Sequence, residues 1–507
     1  MNVRVVKASI PATSTKQIYD DPFKDHYSSD DIIQPPYTIK ELKAVAEYST
    51  ILNQCVEAYV TNIVKFGIQP RYRSDYNAAD KKTKEEMTSE WTQLDDFIRH
   101  LNFDESAETI LGWAIADREK TGTGYIEVLR DTLNKPAGIE YADAEYMRIC
   151  KRTSPIEVRY NIREKGKITE IKRLRAFRRF VQIKNGEKVW FKEYGDPRIL
   201  NSKTGKFDEN TPEPLRATEI MYFKIGSGTY GIPRWIGHLI SLYGARKAEE
   251  LNYLYFKQGR HTPAAVIIEN GQLTQESYDQ LQDYMNDIEG VENSHKFLVL
   301  EAEGIEETNV QGAEKPTSVK VQIKSLAEIL QQDALFLEYD TKTRNKLRSA
   351  FRLPPLYTGE SQEYTKATAD TARKVTEEQV FAPNREEVIN KINTLFLNDL
   401  EIYDVELMLK GPDFSDPLEI AKVLTPFISA GAVAPNDLRD LLGKVLGKTL
   451  EEWDDELFNK PLQLILKQAM TNQHKPFTNQ ENQNELVNVL KQLLEELESS
   501  KNKEVPL

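Results

Sequence analysis

Two long helical stretches, Arg234 to Gln258 and Val319 to Phe351, enclose a short segment that reads as strand, helix and strand. At 1.5 Å per residue the first would run for roughly 39 Å, longer than a small domain is wide, so it must bridge something or line something. The enclosed segment is AAVIIEN, a helix from Gln275 to Ile288, and KFLVLEA, and a hydrophilic loop from Gly304 to Thr317 leads back into the second helix. That helix ends at the strongly turn-coded Leu353-Pro354-Pro355.

What flanks this pair reads as mixed α and β structure. The first forty residues are polar and turn-rich, with Asp20, Asp21, Asp25, Asp30, Asp31 and Pro35-Pro36, and predict an extended arm. From Ile39 to about Phe66 apolar residues recur at helical spacing and Gly67 closes the run. A second helical stretch covers about residues 80 to 120. The period then changes to two: GYIEVLRD, EVRYNI, ITEIKRLRAFRRFVQI and KVWFKEY predict antiparallel strands, with Asn185-Gly186 as one of the turns, before the strand EIMYFKI. After a loop rich in Gly, Ser and Thr at 356–368, a third helix runs to about Leu400 with a kink at Pro383, and the strand YDVELMLK follows. From Asp416 the chain is helical with breaks at Pro426, Gly431, Pro435 and Pro461, and it closes on the charged amphipathic helix ENQNELVNVLKQLLEEL.

Composition removes several classes of function. Across 507 residues the formal net charge is −13 with 39% hydrophobic residues, which is neither a disordered chain nor one that coats nucleic acid with excess positive charge. Two cysteines, Cys55 and Cys150, make no disulfide framework and no metal set. No signal peptide is expected at the N-terminus, and no window is apolar for long enough to span a membrane. His26, His100, His238, His261, His295 and His474 are scattered, with no two at metal-ligand spacing. The doublets Asp20-Asp21, Asp30-Asp31 and Asp454-Asp455 are read as caps and solvated loops rather than a Mg²⁺ site. Neither a catalytic residue nor a cofactor nor a metal is therefore expected, and the chain reads as no enzyme.

One motif imitates a nucleotide site. Gly226-Ser227-Gly228-Thr229-Tyr230-Gly231 satisfies G-x-G-x-x-G after a strand and before a helix. Pro233 follows at once, and the acids some twenty residues on, Glu249 and Glu250, fall inside the helix. Gly226, Gly228, Gly231 and Pro233 are read instead as a strand-to-helix hinge. Two basic features remain in this acidic chain. Residues 151 to 192 hold 14 Lys and Arg against 4 Asp and Glu. Within them Arg173, Arg175 and Arg179 are placed on one strand face with Phe177 among them, paired with the surplus acids. At the end of the second long helix stand Lys342, Arg344, Lys346, Arg348 and Arg352, the arginines at i, i+4 and i+8. The helix dipole accounts for part of that cluster. The loop after it, LYTGESQEYTKATAD, is polar and held between two helices, a place where loops often act.

These residues carry a family resemblance. The segments DPFKDHYSSDDIIQPPYTIKEL, LNQCVEAYVTNIVKFG, RRFVQI and VWFKEYGDPR, YGIPRWIG, ARKAEELNYLYFKQGRHTPAAVIIENG and LRSAFRLPPLYTG resemble the portal proteins of tailed bacteriophages over about residues 20 to 400. The resemblance implies an α+β portal fold with wing, stem, clip and crown parts. Residues 1–232 would be the wing, 233–259 the first stem helix, 260–317 the clip, 318–352 the second stem helix and 353–368 the tunnel loop. Residues 369–412 would return to the wing, 413–475 would be the crown and 476–507 a tail or helix. It also implies a homo-oligomeric ring, usually of twelve subunits, at one capsid vertex, through which double-stranded DNA is packaged and ejected. The partners would be the terminase large subunit, a head-tail adaptor and the major capsid or scaffolding protein, in the virion after assembly in the host cytoplasm. The tunnel loop would present Tyr357, Thr358, Glu360, Glu363, Tyr364, Thr365 and Lys366, with Arg344, Arg348 and Arg352 facing phosphates or a neighbouring subunit. The alternatives are another virion protein, such as a minor capsid or adaptor subunit, and a nucleic-acid-processing enzyme.

Overall fold

The computed structural model describes residues 21, 23, 24, 26, 27, 31–74, 76, 80–164, 167–257, 264–269, 271–280, 302–304, 320–325, 333–360, 365–414, 417–446, 448, 450, 453 and 456–464. The chain divides into two compact units, 1–412 and 413–507. The first opens with helices α1 (Ile39–Tyr48) and α2 (Thr50–Val60), strand β1 (Ile68–Tyr72), and helices α3 (Lys81–Arg99) and α4 (Ala107–Thr121). Strands β2 (Thr123–Arg130), β3 (Pro136–Ala142), β4 (Met147–Arg152), β5 (Ile156–Glu164), β6 (Lys167–Arg175), β7 (Arg178–Lys184), β8 (Glu187–Glu193) and β9 (Glu219–Lys224) follow, then helix α5 (Leu239–Lys257). Strands β10 (Ala264–Glu269), β11 (Gly271–Leu273), β12 (Ala302–Gly304) and β13 (Lys320–Ser325) precede helices α6 (Asp333–Phe351), α7 (Lys366–Thr376) and α8 (Ala382–Leu400) and strand β14 (Val405–Leu409). The second unit holds α9 (Pro417–Ser429) and α10 (Arg439–Leu446).

The centre of the first unit is a six-stranded sheet in the order β3-β2-β9-β8-β7-β4, antiparallel except between β8 and β9. Alternation sorts its side chains. Ile126, Val128, Ile139, Met221 and Phe223 join a core built with α4 and α8 through Ile110, Ala114, Ile389 and Phe396. Tyr125, Ile149, Phe180, Phe191 and Ile220 fill a second cluster. Strands β1 and β14 pair Ile68 with Leu409 and Tyr72 with Val405, which ties the chain's return to its beginning.

Several boundaries differ from the sequence reading for identifiable reasons. Ser49 interrupts the first helical run, and its hydroxyl accepts from Leu52 N to cap α2. The described arm residues are packed, not extended into solvent: Phe23 is fully buried beneath the Arg148 guanidinium at 4.3 Å, and Ile33 N donates to Ile149 O at 2.9 Å. The run expected as one strand, ITEIKRLRAFRRFVQI, is two, because buried Phe177 turns the chain between β6 and β7. Arg173 and Arg175 thus sit on the separate β5–β6 ribbon, while Arg179 stands on the main sheet. The pairing of arginines with acids holds for two of them, with Arg175 3.2 Å from Glu193 and Arg179 3.8 Å from Asp31.

The first long helix begins at Leu239, not Arg234, because Trp235 is buried with its Nε1 donating to Glu119 O at 3.2 Å, and a 3-10 turn, Ile236–His238, intervenes. The second begins at Asp333, not near Val319. Lys320–Ser325 is strand, paired antiparallel with Ala264–Glu269, and the alternation of Val321 and Ile323 with Lys320, Gln322 and Lys324 is the period-two signal that was read as helix. Ala302–Gly304 likewise pairs with Gly271–Leu273, so the segment between the long helices contains two antiparallel ribbons. The expected strand residues 296–301 and the end of the expected 275–288 helix lie outside the described residues, as does the 481–497 helix.

Helices α5 and α6 run antiparallel in contact. Gly244 permits the approach, since a Cβ there would come within 2.3 Å of the Tyr339 hydroxyl. Lys346 Nζ lies 3.4 Å from Ser241 Oγ. The kink expected at Pro383 is a five-residue π-helical segment, Glu377–Phe381, that leads into α8 with Pro383 in its first turn, where a missing N–H costs least. In the second unit α9 continues through Pro426 to Ser429 and stops before Gly431 at φ +67°. The break predicted at Pro426 does not occur, since the helix runs on through it to Ser429.

Candidate functional site

The two long helices are held at two points, each a carboxylate between two arginines: one joins the entry of α5 to α4, and the other joins the end of α6 to the turn that follows it. The first lies at the base of α5. Gly231 is pressed against the Gly122 carbonyl, where a Cβ would lie 1.8 Å away, and its N–H donates to Thr123 Oγ1 at 2.9 Å. Tyr230 is buried, donating to Ile33 O and accepting from Ile149 N, both at 2.8 Å. Gly226 takes φ +87°, and Lys224 Nζ closes the loop on the carbonyls of Ser227 and Gly228. Backbone and lysine contacts occupy the turn that imitates a phosphate loop, and Pro233 leads out of it into Arg234.

Arg234 Nε then donates to Glu119 Oε2 at 2.9 Å. On the other carboxylate oxygen, Arg118 donates from Nε at 2.9 Å and from Nη2 at 2.6 Å. Glu119 is 0% exposed and Arg118 2%. Asn384 Oδ1 accepts from Arg234 Nη2 at 2.8 Å and Arg118 Nη2 at 3.3 Å, while its amide donates to Val380 O at 2.6 Å inside the π-helical segment. One buried carboxylate thereby joins α4, the entry to α5 and the start of α8. Sequence reasoning missed this node, although the adjacent Arg118-Glu119 pair and the YGIPRWIG segment were both in view.

The second point lies at the end of α6. Arg344 Nη2 is 3.0 Å from Glu360 Oε1, and Arg348 Nη1 is 2.5 Å from Glu360 Oε2. Arg348 is 5% exposed and also meets Thr358 Oγ1 at 3.3 Å and the Asn345 side chain. The paired arginines, Arg348 above all, hold the Glu360 carboxyl below the usual carboxylate range. Close by, burial pushes the Cys55 thiol up to about 12 against the pull of Arg348, which leaves it unreactive. Tyr357 packs edge-on to Phe381 at 5.3 Å, and Tyr59 fills the gap between Phe351 and Phe381 while donating to Phe351 O at 2.7 Å. The Arg234 guanidinium lies 5.2 Å from the Tyr59 ring, so this one tyrosine touches both fastenings.

The predicted basic face is therefore divided. Arg344 and Arg348 converge on Glu360, whereas Arg352 falls just past the helix in the left-handed region at φ +56° and reaches the Gln379 side chain at 3.3 Å. Lys342 and Lys346 are exposed. Of the predicted loop, Thr358 is buried and donates to Pro355 O at 3.0 Å, Thr365 caps α7 by accepting from Thr368 N at 3.3 Å, and Lys366 is exposed at the start of α7. Glu363 and Tyr364 lie outside the described residues. Among the described residues no cluster of His, Cys, Asp and Glu is arranged to hold a metal ion, and no helix is long and apolar enough to cross a membrane.

The family model for the phage portal protein matches residues 72–443. The chain belongs to the phage portal protein family. Two relatives come from Bacillus subtilis (strain 168). The uncharacterized protein YqbA is 64% identical over 465 residues, covering 91% of this chain and 91% of its own. The phage-like element PBSX protein XkdE is 61% identical over 460 residues, covering 90% and 93%. Among solved structures, a chain in the neck of a native GTA particle computed with C12 symmetry is 16% identical with a TM-score of 0.47, covering 81% of this portal chain and 95% of that one.

Proposed function

We propose that this portal chain forms a homo-oligomeric ring at one capsid vertex and that double-stranded DNA passes through its centre during packaging and ejection. The observation that carries the reading is the family match over residues 72–443, reinforced by the relative named for the phage-like element PBSX. The antiparallel α5–α6 pair serves as the stem, and the ribbons between them as the clip, which extends to Ser325 because Lys320–Ser325 pairs with Ala264–Glu269. The clip receives the terminase large subunit and later a head-tail adaptor, the unit from 413 onward forms the crown, and the outer surface meets the major capsid or scaffolding protein. Assembly in the host cytoplasm precedes incorporation into the virion. The chain acts as a structural channel, not as an enzyme.

The net charge of −13 suits this role. Each phosphate held by a Lys or Arg adds binding that must be broken at every step, so an acidic bore with few basic residues lets DNA slide. Electron microscopy of the purified protein is the test: rings with a hole wide enough for duplex DNA support the reading, and discrete monomers at every concentration refute it. Nuclease or nucleotide turnover by the isolated chain would favour the enzyme reading. Replacing Arg344, Arg348 and Arg352 together with alanine is expected to reduce DNA retention or packaged length; unchanged packaging would make the arginines structural.

A further inference from the structure

The first unit carries two unlike surface features. At the β3 edge of the large sheet, the loop between α3 and α4 presents Phe103, which is 100% exposed. The loop is held rigidly: Asn102 Oδ1 accepts from Asp104 N at 2.9 Å and Glu105 N at 3.0 Å, Asn102 Nδ2 donates to Ile139 O at 3.0 Å, and Ile139 N donates to Leu101 O at 2.9 Å. Residues 95–105 hold four acids, Asp95, Asp96, Asp104 and Glu105, against one arginine, Arg99, which is paired with Asp95 at 2.8 Å. An aromatic ring fixed in water inside an acidic rim has no role in the fold of its own chain.

The other edge strand is β4, and between β4 and β7 the chain makes the β5–β6 ribbon. Its backbone is fixed to α8 by Asn161 N donating to Asn398 Oδ1 at 3.2 Å. Beneath it opens a cavity of about 560 Å³ lined by Tyr160, Ile171, Leu174, Leu397, Ile402 and Tyr403, with Arg73, Arg173 and Arg175 around it. Leu174, at its lip, is 78% exposed. Arg175 holds Glu193 and Arg73 holds Glu406, but Arg173 is exposed and makes no ion pair among the described residues. This cavity has an apolar part made by Ile171, Leu174, Leu397 and Ile402, beside Asn161, Asn393, Thr394 and Asn398, with a basic surround, while the Phe103 loop is an apolar anchor with an acidic surround.

We propose that the Phe103 loop of one copy inserts into the cavity under the β5–β6 ribbon of the next. The two features do not meet within one chain, because Phe103 is 100% exposed and is not among the residues that line the cavity. Two different, complementary patches on one molecule make a head-to-tail contact, and such contacts close into a ring when the rotation allows. The phenyl ring supplies the desolvated anchor, and Asp104 and Glu105 meet Arg173 at the rim, where charge sets partner choice and register. The inference rests on the ring reading above and names the contact that builds it.

Cross-linking tests it directly. Both native cysteines, Cys55 and Cys150, are buried, so introduced thiols report without interference. Rings of the Phe103→Cys/Leu174→Cys variant, mildly oxidised, are expected to give a ladder of dimers, trimers and higher species on non-reducing gels, with Phe103→Cys or Leu174→Cys alone giving none. Independently, Phe103→Ser and the charge reversals Glu105→Lys and Arg173→Glu should each weaken ring formation by about ten-fold or more, and Glu105→Lys with Arg173→Glu on one chain should recover most of it. These side chains are exposed, so monomer folding, followed by circular dichroism, should stay intact. Rings of the double-cysteine variant that give no ladder, or reversals that fail to compensate, overturn this contact and leave the ring reading standing. A wild-type chain that never forms rings overturns both.

Discussion

Glu119 and Glu360 do the same thing in two surroundings. Each carboxylate is shared by two arginines, Arg118 and Arg234 in one case and Arg344 and Arg348 in the other. Glu119 is completely buried, whereas the Glu360 side chain is 38% exposed. In a dry site a charge left without its partner is very costly, so the Glu119 cluster behaves as a lock that fixes where α5 leaves the body of the first unit. At the second site water reaches Glu360 and Arg344 but not the buried Arg348, so the Glu360 cluster is the looser latch of the two, and exchange of its carboxylate for a phosphate is the test of what it does. The chemistry is identical, and burial decides which of the two it becomes.

The harshest way to break the comparison is Glu119→Ala. It strands Arg118, itself 2% exposed, and Arg234 without their carboxylate, and breaking a buried pair from one side typically costs about 3–5 kcal/mol. Urea unfolding should register a loss of that order, with a smaller one for Glu119→Gln, which keeps some of the hydrogen bonding. A loss below about 1 kcal/mol for the alanine variant would put Glu119 in the same class as an exposed pair and end the distinction.

Local patterns made the strands, the turns and the two long helices legible in the sequence, since strand alternation and helical spacing report on nearest neighbours. The Glu119 cluster was not legible, because its members stand at 118, 119, 234 and 384 and only the fold brings them together. The helix start at Leu239 was missed for the same reason, as the buried Trp235 that delays it is held by α4, more than a hundred residues upstream. The strand Lys320–Ser325 was a different failure: its alternation was present, but a neighbouring helical pattern absorbed it. At the candidate site, the basic cluster was found from spacing alone, yet its meaning changed once Glu360 turned out to hold Arg344 and Arg348.

A third cation sharpens the comparison by having no carboxylate. Lys391 keeps some exposed surface along its stem, but its ammonium is turned inward, 4.1 Å from the Tyr222 ring centre and donating to Tyr222 O, with no ion pair among the described residues. Burial pulls its pKa down to about 8, against the opposing influence of Glu193. Between that value and the ordinary lysine range the unfolded chain holds a proton that the folded one has released, so this group makes stability rise with pH from about 8 to 10. Lys391→Met should flatten that rise and add roughly 1–2 kcal/mol at pH 7, read from urea midpoints across the pH range. An unchanged pH profile would show that the ammonium is solvated after all.

The mildest change in stability, and the most informative about function, is Glu360→Gln. With the Glu360 side chain half in water and the glutamine oxygen still able to accept from the buried Arg348, the loss should stay below about 1 kcal/mol. Because the folded carboxyl titrates below its ordinary value, its contribution is complete above the ordinary glutamate range and fades only as pH falls through the lowered one. Working pH therefore leaves the latch closed, and only competition can open it. Removing the carboxylate charge should leave Arg344 and Arg348 with their charge uncompensated, so rings carrying Glu360→Gln should bind duplex DNA more tightly, with a steeper salt dependence of up to about 0.9 per added phosphate contact. Arg344→Ala should move both quantities the other way while leaving the fold intact, since Arg344 is only partly buried. Filter binding across a salt series separates the two outcomes. Opposite signs make Glu360 an internal substitute for phosphate, and a shared sign, or no change in either variant, makes its two arginines a structural clasp no different in kind from the pair around Glu119.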